Sequence, residues 1–184
     1  MDQIYTHPKR KTKVVFVQLG SPSEPTTKAL RKYLRKFLGD PRVVDINPWL
    51  WKIILNFFVL PFRPKKSAKL YARIWDGKSF PLITNTRDFT NNVREELKKI
   101  DPNGYVEVNH AFLLSPPYVN EVYDSWEDDL KKGIGATKLL VIPMFPQYSE
   151  STIASGIDAL AKELSKRVKI PTFEVITNFH RTHA

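Results

Sequence analysis

Cysteine is absent from all 184 residues. This rules out disulfides, thiolate-held iron–sulfur clusters and cysteine-bound zinc within the chain, and leaves His, Asp and Glu as the ligands for any metal chemistry. Glycine is sparse, and its seven copies form no G-x-G-x-x-G, no P-loop and no nucleophile elbow. Gly20-Ser21-Pro22 is a lone glycine turn, so no nucleotide site is indicated. Long hydrophobic runs are also missing. The most apolar stretch, PWLWKIILNFFVLPF over 48–62, is interrupted by Lys52 and falls short of the roughly 20 residues that cross a bilayer, so it reads as core or as a greasy lip. The opening MDQIYTHPKRKTK has no apolar stretch of its own, which argues against a secretory or transit signal and makes the cytoplasm the expected location, with 1–12 as a basic tail.

What is present suits one globular core. With 42% hydrophobic residues, the chain supports a single α/β domain over 13–184. The formal charge of +10 is spread over helix faces, with groupings at Lys9 to Lys13, Arg31 to Lys36 and Arg63 to Lys69. With no RNA-binding signature and no zinc finger, these read as solvated faces rather than a nucleic-acid surface. The four histidines, 7, 110, 180 and 183, are dispersed except for the terminal H-x-x-H. That pair reads as exposed tail because no third ligand lies near it, so no metal site is expected.

Strand and helix alternate along the chain. KVVFVQL (13–19) is a short valine-rich run stopped by Gly-Ser-Pro and reads as a buried strand. Leu30, Tyr33, Leu34, Phe37 and Leu38 repeat with helical spacing between Pro25 and Gly39. Helices are also expected over 65–75, over 88–100 with Phe89, Val93, Leu97 and Ile100 on one stripe before an Asp-Pro-Asn-Gly stop, and over 120–132 with a close at Gly133. In the last of these, acids come early and lysines late, so Glu121, Asp124, Glu127, Asp128 and Asp129 read as a solvated helix half. Further strands are expected over 105–114, 138–145 and 172–177. The pattern specifies a Rossmann-like, doubly wound, mostly parallel four-stranded sheet with helices on both faces. The chain stops directly after a strand with no closing helix, as one half of a longer protein would.

The segment PMFPQYSESTIASG, 143–156, carries an apolar strand into a polar turn and then a helix with Ile153, Ile157, Leu160 and Leu164 inward. At that junction open parallel sheets hold ligands. Leu19 and Phe145 stand at strand ends, which serve core packing and ligand contact alike, and Tyr148 and Ser149 read equally well as caps of the next helix. With the Trp49 to Phe62 segment, Arg63 and Tyr71, these residues suit a flat aromatic ligand bearing carboxylates. Arg63, between Pro61 and Pro64 after an apolar run, has little reason to be there for packing.

Three segments together resemble ferrochelatase, the enzyme family that inserts ferrous iron into a porphyrin in heme synthesis. They are VVFVQLGSP with its helix through FLGDPRVVD, then LPFRPKKSAKLYARIWDGKSFPL, and VIPMFPQYSEST, in matching order from Val14 to about His180. The resemblance implies one of two similar Rossmann-like halves that hold the porphyrin, protoporphyrin IX, between them, this chain being the N-terminal one. It places Leu19 against the macrocycle face, matches Arg63 and Tyr71 to positions that bind propionates or line the pocket, and aligns Ser79, Phe145 and Ser151 with further pocket positions. Apolar side chains packed on the macrocycle can impose the distortion that insertion requires, and Arg63 can hold a carboxylate bidentately. The family's proton-accepting His and its partner Glu belong to the other half. The resemblance thus implies a lyase whose substrates are porphyrin and Fe2+, with no cofactor and no catalytic residue here, inactive until joined to a C-terminal half in cis or in trans. Leu113 and Leu114 depart from the family, standing where many relatives carry Arg-Tyr or Ser-Tyr, and Gln18 and Ser21 replace an Asn and a Thr. Two alternatives stand beside this reading. One is a non-catalytic porphyrin-binding half-domain with a separate partner, the other a module peripheral to the inner face of a membrane through Trp49 to Phe62 and nearby lysines.

Overall fold

The computed structural model describes residues 11–131 and 138–180. His7 and the basic tail before Lys11, the Gly133 helix stop and His183 of the H-x-x-H pair lie outside the described residues. Strands β1 (Thr12–Gln18), β2 (Val106–Phe112), β3 (Lys138–Pro143) and β4 (Thr172–Val175) form a parallel sheet in the order β2-β1-β3-β4. Thr12 is in register with Val106 on one side and Lys138 on the other, so β1 is central. Val14 to Val17 are all buried, the continuous apolar run of a strand covered on both faces. Helix α4 (Pro81–Ile100) covers one face, with Val93 and Leu97 against Val14, Phe16 and Val108. Helices α5 (Val119–Lys131) and α6 (Ser155–Leu164) cover the other through Tyr123, Trp126, Leu160 and Leu164.

Helix α1 (Thr27–Leu38) starts at Thr26, whose hydroxyl accepts from the Ala29 N–H at 3.2 Å. Its buried Tyr33, Leu34 and Leu38 pack with Leu55 and Leu60 in a cluster apart from the two on the sheet faces. The 48–62 segment is thus core at Leu55 and Leu60 and an exposed lip elsewhere. Helix α2 (Pro48–Ile54) runs into a π-helical turn, Leu55–Val59, and Trp49, Leu50, Ile53, Phe57, Phe58 and Phe62 are exposed. No described helix is long and apolar enough to cross a membrane.

Several boundaries differ from the sequence reading. The helix expected over 65–75 is α3 (Arg63–Tyr71) followed by a tight turn, Ala72–Ile74, because Pro64 suits a first turn. The helix expected from Asp88 begins at Pro81 after an extended Phe80. Its inward side carries the buried Thr86 and Thr90, whose hydroxyls donate back to the Leu82 and Thr86 carbonyls at 2.7 Å. Phe89 instead lies edge-on to Phe16 at 5.1 Å, and Ile100 projects into solvent. β2 ends at Phe112, where the Phe112 N–H turns to the Pro117 carbonyl at 2.7 Å. β3 stops at Pro143 rather than Phe145. β4 is regular only to Val175, with one further bond from the Ile176 N–H to the Val141 carbonyl.

The acidic side of α5 is not simply solvated. Lys13, 1% exposed, sits with its ammonium 3.4 Å from both the Asp129 and the Glu107 carboxylates, and Arg167 reaches Asp124 at 2.7 Å and Glu127 at 2.9 Å. Acids on both flanks of the buried helix face are thus matched by cations, one flank from β1 and the other from the turn after α6.

His110 on β2 keeps a buried Nδ1 without a partner, 5.5 Å ring to ring from Phe112. Burial, then the nearby Arg94 and Arg87 guanidinium groups, hold its pKa below the usual imidazole range. The unfolded chain therefore binds a proton that the folded one refuses. Stability should fall as pH drops from about 6.5 toward the depressed folded value, and then level off. Denaturant titrations of the wild type and His110→Gln at pH 7 and pH 5 should show a steeper loss in the wild type; equal losses would assign the acid sensitivity elsewhere.

Candidate functional site

The sheet order places a topological switch at β1 and β3. The chain leaves β1 toward β2 and leaves β3 toward β4, so their carboxyl-end loops diverge and open a crevice. Leu19 follows β1 and Phe145 follows β3, one on each side. The two loops are tied by the Met144 N–H to the Val17 carbonyl at 2.8 Å, and by Gln18, whose side chain accepts from the Leu19 N–H at 2.9 Å and reaches the Met144 carbonyl at 3.5 Å. On the other side, the Leu113 N–H donates to the Gln18 carbonyl and the Leu114 N–H to the Leu19 carbonyl, both at 3.0 Å. Gly20 turns with φ +93° where a Cβ would stand 2.4 Å from the Ser115 hydroxyl oxygen, so only glycine lets these loops meet.

Two cavities open at this end. The inner one, about 110 Å³, is walled by Leu19, Phe37, Val43, Leu113 and Leu114, with Asp40, Ser151 and Ser155 at its polar edge. The outer one, about 330 Å³, lies between α1, the Trp75 to Ile83 segment and the Leu114 to Tyr118 loop. Leu114 lines both. Of the residues picked from sequence, Leu19 and Ser151 come together in the inner cavity and Ser79 lines the outer one. Tyr71 stands behind the outer cavity, ring to ring with Tyr33 (6.2 Å) and Phe80 (5.4 Å). Phe145 is half-buried beside the crevice and lines neither cavity. Arg63 is exposed at the start of α3 and makes no ion pair or hydrogen bond among the described residues.

The segment around Ser79 is fixed by Asp76, whose carboxylate accepts from the Lys78 and Ser79 N–H groups at 2.7 and 2.6 Å. These two bonds hold its pKa below the usual carboxylate range. Tyr33 donates to the Gly20 carbonyl at 3.3 Å, and burial, reinforced by Tyr71, pushes its phenol pKa above the ordinary value. Ser149 does not cap the following helix with its side chain. Its carbonyl accepts from Ile153 at 2.9 Å, while its hydroxyl lies 3.1 Å from that of Ser151.

Sequence reasoning missed the outer cavity's cations, Lys32, Lys36 and Lys78. The available signal was α1 itself, which carries Lys28, Arg31, Lys32, Arg35 and Lys36 and no acid. Among the described residues, no group of three metal-ligating side chains converges.

An open parallel sheet with a paired-loop crevice at its carboxyl end, an apolar wall and a cation-rimmed cleft defines a Rossmann-like α/β domain with a candidate ligand crevice there. The family model described as Ferrochelatase matches residues 11–184, and this chain belongs to the ferrochelatase family. It is 42% identical over 167 residues to the ferrochelatase of Idiomarina loihiensis, covering 91% of this chain and 44% of that one. It is 39% identical over 167 residues to that of Actinobacillus pleuropneumoniae serotype 5b, covering 91% and 50%. To the coproporphyrin III ferrochelatase of Streptococcus mutans it is 37% identical over 172 residues, covering 94% and 52%. The chain thus spans about half the length of the curated relatives it matches.

Proposed function

We propose that this chain is the N-terminal, porphyrin-binding portion of a ferrochelatase, working in the cytoplasm on a porphyrin and Fe2+ as substrates, with 13–184 acting as one chelatase-like unit. The observation that carries this reading is the apolar wall of Leu19, Leu113 and Leu114 at the switch point beside a cleft lined with cations. The reaction exchanges two pyrrole protons for one ferrous ion and calls for no nucleotide or redox cofactor. In it, Leu19 and Phe145 bear on the macrocycle from the two sides of the crevice, Ser79 and Ser151 line the pocket, and Tyr71 backs it. Arg63, with no ion pair among the described residues, takes a carboxylate in a fork. No residue here accepts the pyrrole protons, so chemistry awaits a C-terminal half, in cis or in trans.

Titration of the chain with protoporphyrin IX, followed by the porphyrin band and tryptophan quenching, should show saturable binding. Arg63→Ala should weaken it about tenfold, the loss of a charge-assisted contact. A folded chain that binds no porphyrin would refute the reading. Metalloporphyrin formed above a protein-free control would refute the inactivity of this portion alone.

The exposed lip favours a second reading that is compatible with the first. Trp49 is 79% exposed and Phe57 70%, with exposed Lys52, Lys65, Lys66 and Lys69 nearby, a composition that suits the surface of an anionic membrane.

A further inference from the structure

β2 is an outer strand of the sheet, and one of its residues has neither outward backbone group bonded. The Thr12 N–H donates to the Tyr105 carbonyl and the Leu113 N–H to the Gln18 carbonyl, so odd-numbered residues of β2 turn their backbone groups to β1 and even-numbered ones turn theirs to the open edge. At that edge the Val108 carbonyl accepts from the Arg94 guanidinium at 2.7 Å, and the Phe112 N–H donates to the Pro117 carbonyl at 2.7 Å. His110 lies between these two plugs. Its backbone N–H and carbonyl meet no partner among the described residues, and neither does its buried Nδ1.

A cavity of about 200 Å³ opens here, lined by Arg94 from α4, His110 from β2, Pro117, and Glu121, Val122 and Ser125 from α5. Two opposite charges line it without meeting. Arg94 gives one N–H each to the Val108 carbonyl and to the Asn91 and Asn109 side-chain oxygens, at 2.9 and 3.2 Å for the latter two, which fixes the guanidinium and leaves one N–H on each terminal nitrogen. The exposed Glu121 carboxylate has no ion pair or hydrogen bond among the described residues. Other cations nearby are already matched: Arg87 pairs with Asp88, and Lys13, which reaches the Ser125 hydroxyl, pairs with Glu107 and Asp129. A simple anion would satisfy the Arg94 wall alone and a simple cation the Glu121 wall alone. An added peptide strand is blocked, because the plugs at Val108 and Phe112 leave a single residue's pair of backbone groups open.

We propose that this slot is a binding site, separate from the porphyrin crevice, for a small amino acid carrying one carboxylate and one ammonium. The carboxylate takes the two remaining Arg94 N–H groups and the His110 N–H, the ammonium goes to Glu121 and the His110 carbonyl, and the methylenes between them lie against Val122 and Pro117. The charges are thereby joined through a ligand rather than through each other.

The test follows the backbone amide resonances of the isotope-labelled chain during titration with glycine, β-alanine, γ-aminobutyrate and ε-aminohexanoate, with butyrate and butylamine as single-charge controls. Saturable shifts at His110 and its neighbours are expected for one or two adjacent lengths, with Kd about 1–10 mM for ligands this small. The best amino acid should bind about tenfold tighter than either control. Glu121→Gln removes an exposed side chain that holds nothing in the fold, so it should melt with the wild type. It should bind the best amino acid no more tightly than butyrate. If no member of the series shifts the His110 amide saturably, or if Glu121→Gln binds the best one unchanged, the site is overturned. Shifts spread over the lysine-rich helices and equal for butyrate and the amino acids would mean charge screening only, and would overturn it too. None of these results bears on the porphyrin titration, so the two readings fail separately.

Discussion

Replacing Glu107 and Asp129 together by Gln and Asn is expected to cost the chain about 3–5 kcal/mol of stability, measured as a lowered denaturant midpoint at neutral pH. The reason lies in Lys13, whose side chain is 1% exposed and whose ammonium has these two carboxylates and the Ser125 hydroxyl around it, each at 3.4 Å. The acids can rehydrate when a partner is lost, since they are 46% and 31% exposed, but the ammonium cannot. Lys13→Met should therefore be far milder, within about 1 kcal/mol of the wild type, because an apolar side chain of similar length fills the same space without needing a counter-charge. Equal losses in the two variants would mean that packing, not charge compensation, governs this position.

Gly20→Ala is expected to be nearly as damaging. At φ +93° an L side chain costs about 1–2 kcal/mol, and the new Cβ would lie 2.4 Å from the Ser115 hydroxyl oxygen and 3.1 Å from the Phe112 Cβ, an overpacking of about 1–3 kcal/mol. The Ser115 hydroxyl also accepts from the Ser21 N–H, so its displacement breaks one of the ties between the β1 and β2 loops. Together these effects should lower the melting temperature by about 5–15 °C. Ser115→Gly should recover only part of the loss, since the Phe112 Cβ and the backbone nitrogen at 3.2 Å remain in the way. A Gly20→Ala protein melting with the wild type would show that the loops can separate.

The parallel sheet was legible because its strands are short valine-rich runs cut off by Gly-Ser-Pro or by a proline turn, a pattern set by burial on both faces. The first two turns of α4 were not, because Ile83 to Arg87 places threonines rather than large apolar residues on the buried side. The position of α1 was hidden for another reason. An amphipathic stripe shows that a helix buries one face, not what it buries it against, and here the partner is the lip. At the site, Leu19 and Ser151, picked through strand ends and family likeness, line one cavity. Lys32 and Lys36 look like ordinary solvated helix residues, and Lys78 lies 42 positions beyond Lys36 in the chain, so only folding shows that the three share a cleft.

The separation of the α1 cluster from the two clusters on the sheet has a mechanical meaning. A mouth with its own small core is expected to open locally while the sheet core stays folded, which faster amide exchange in α1 than in β1 would show. Leu114 packs on the lip cluster and lines both cavities. A ligand resting on it would join the two clusters, so binding is expected to protect the mouth and the sheet together.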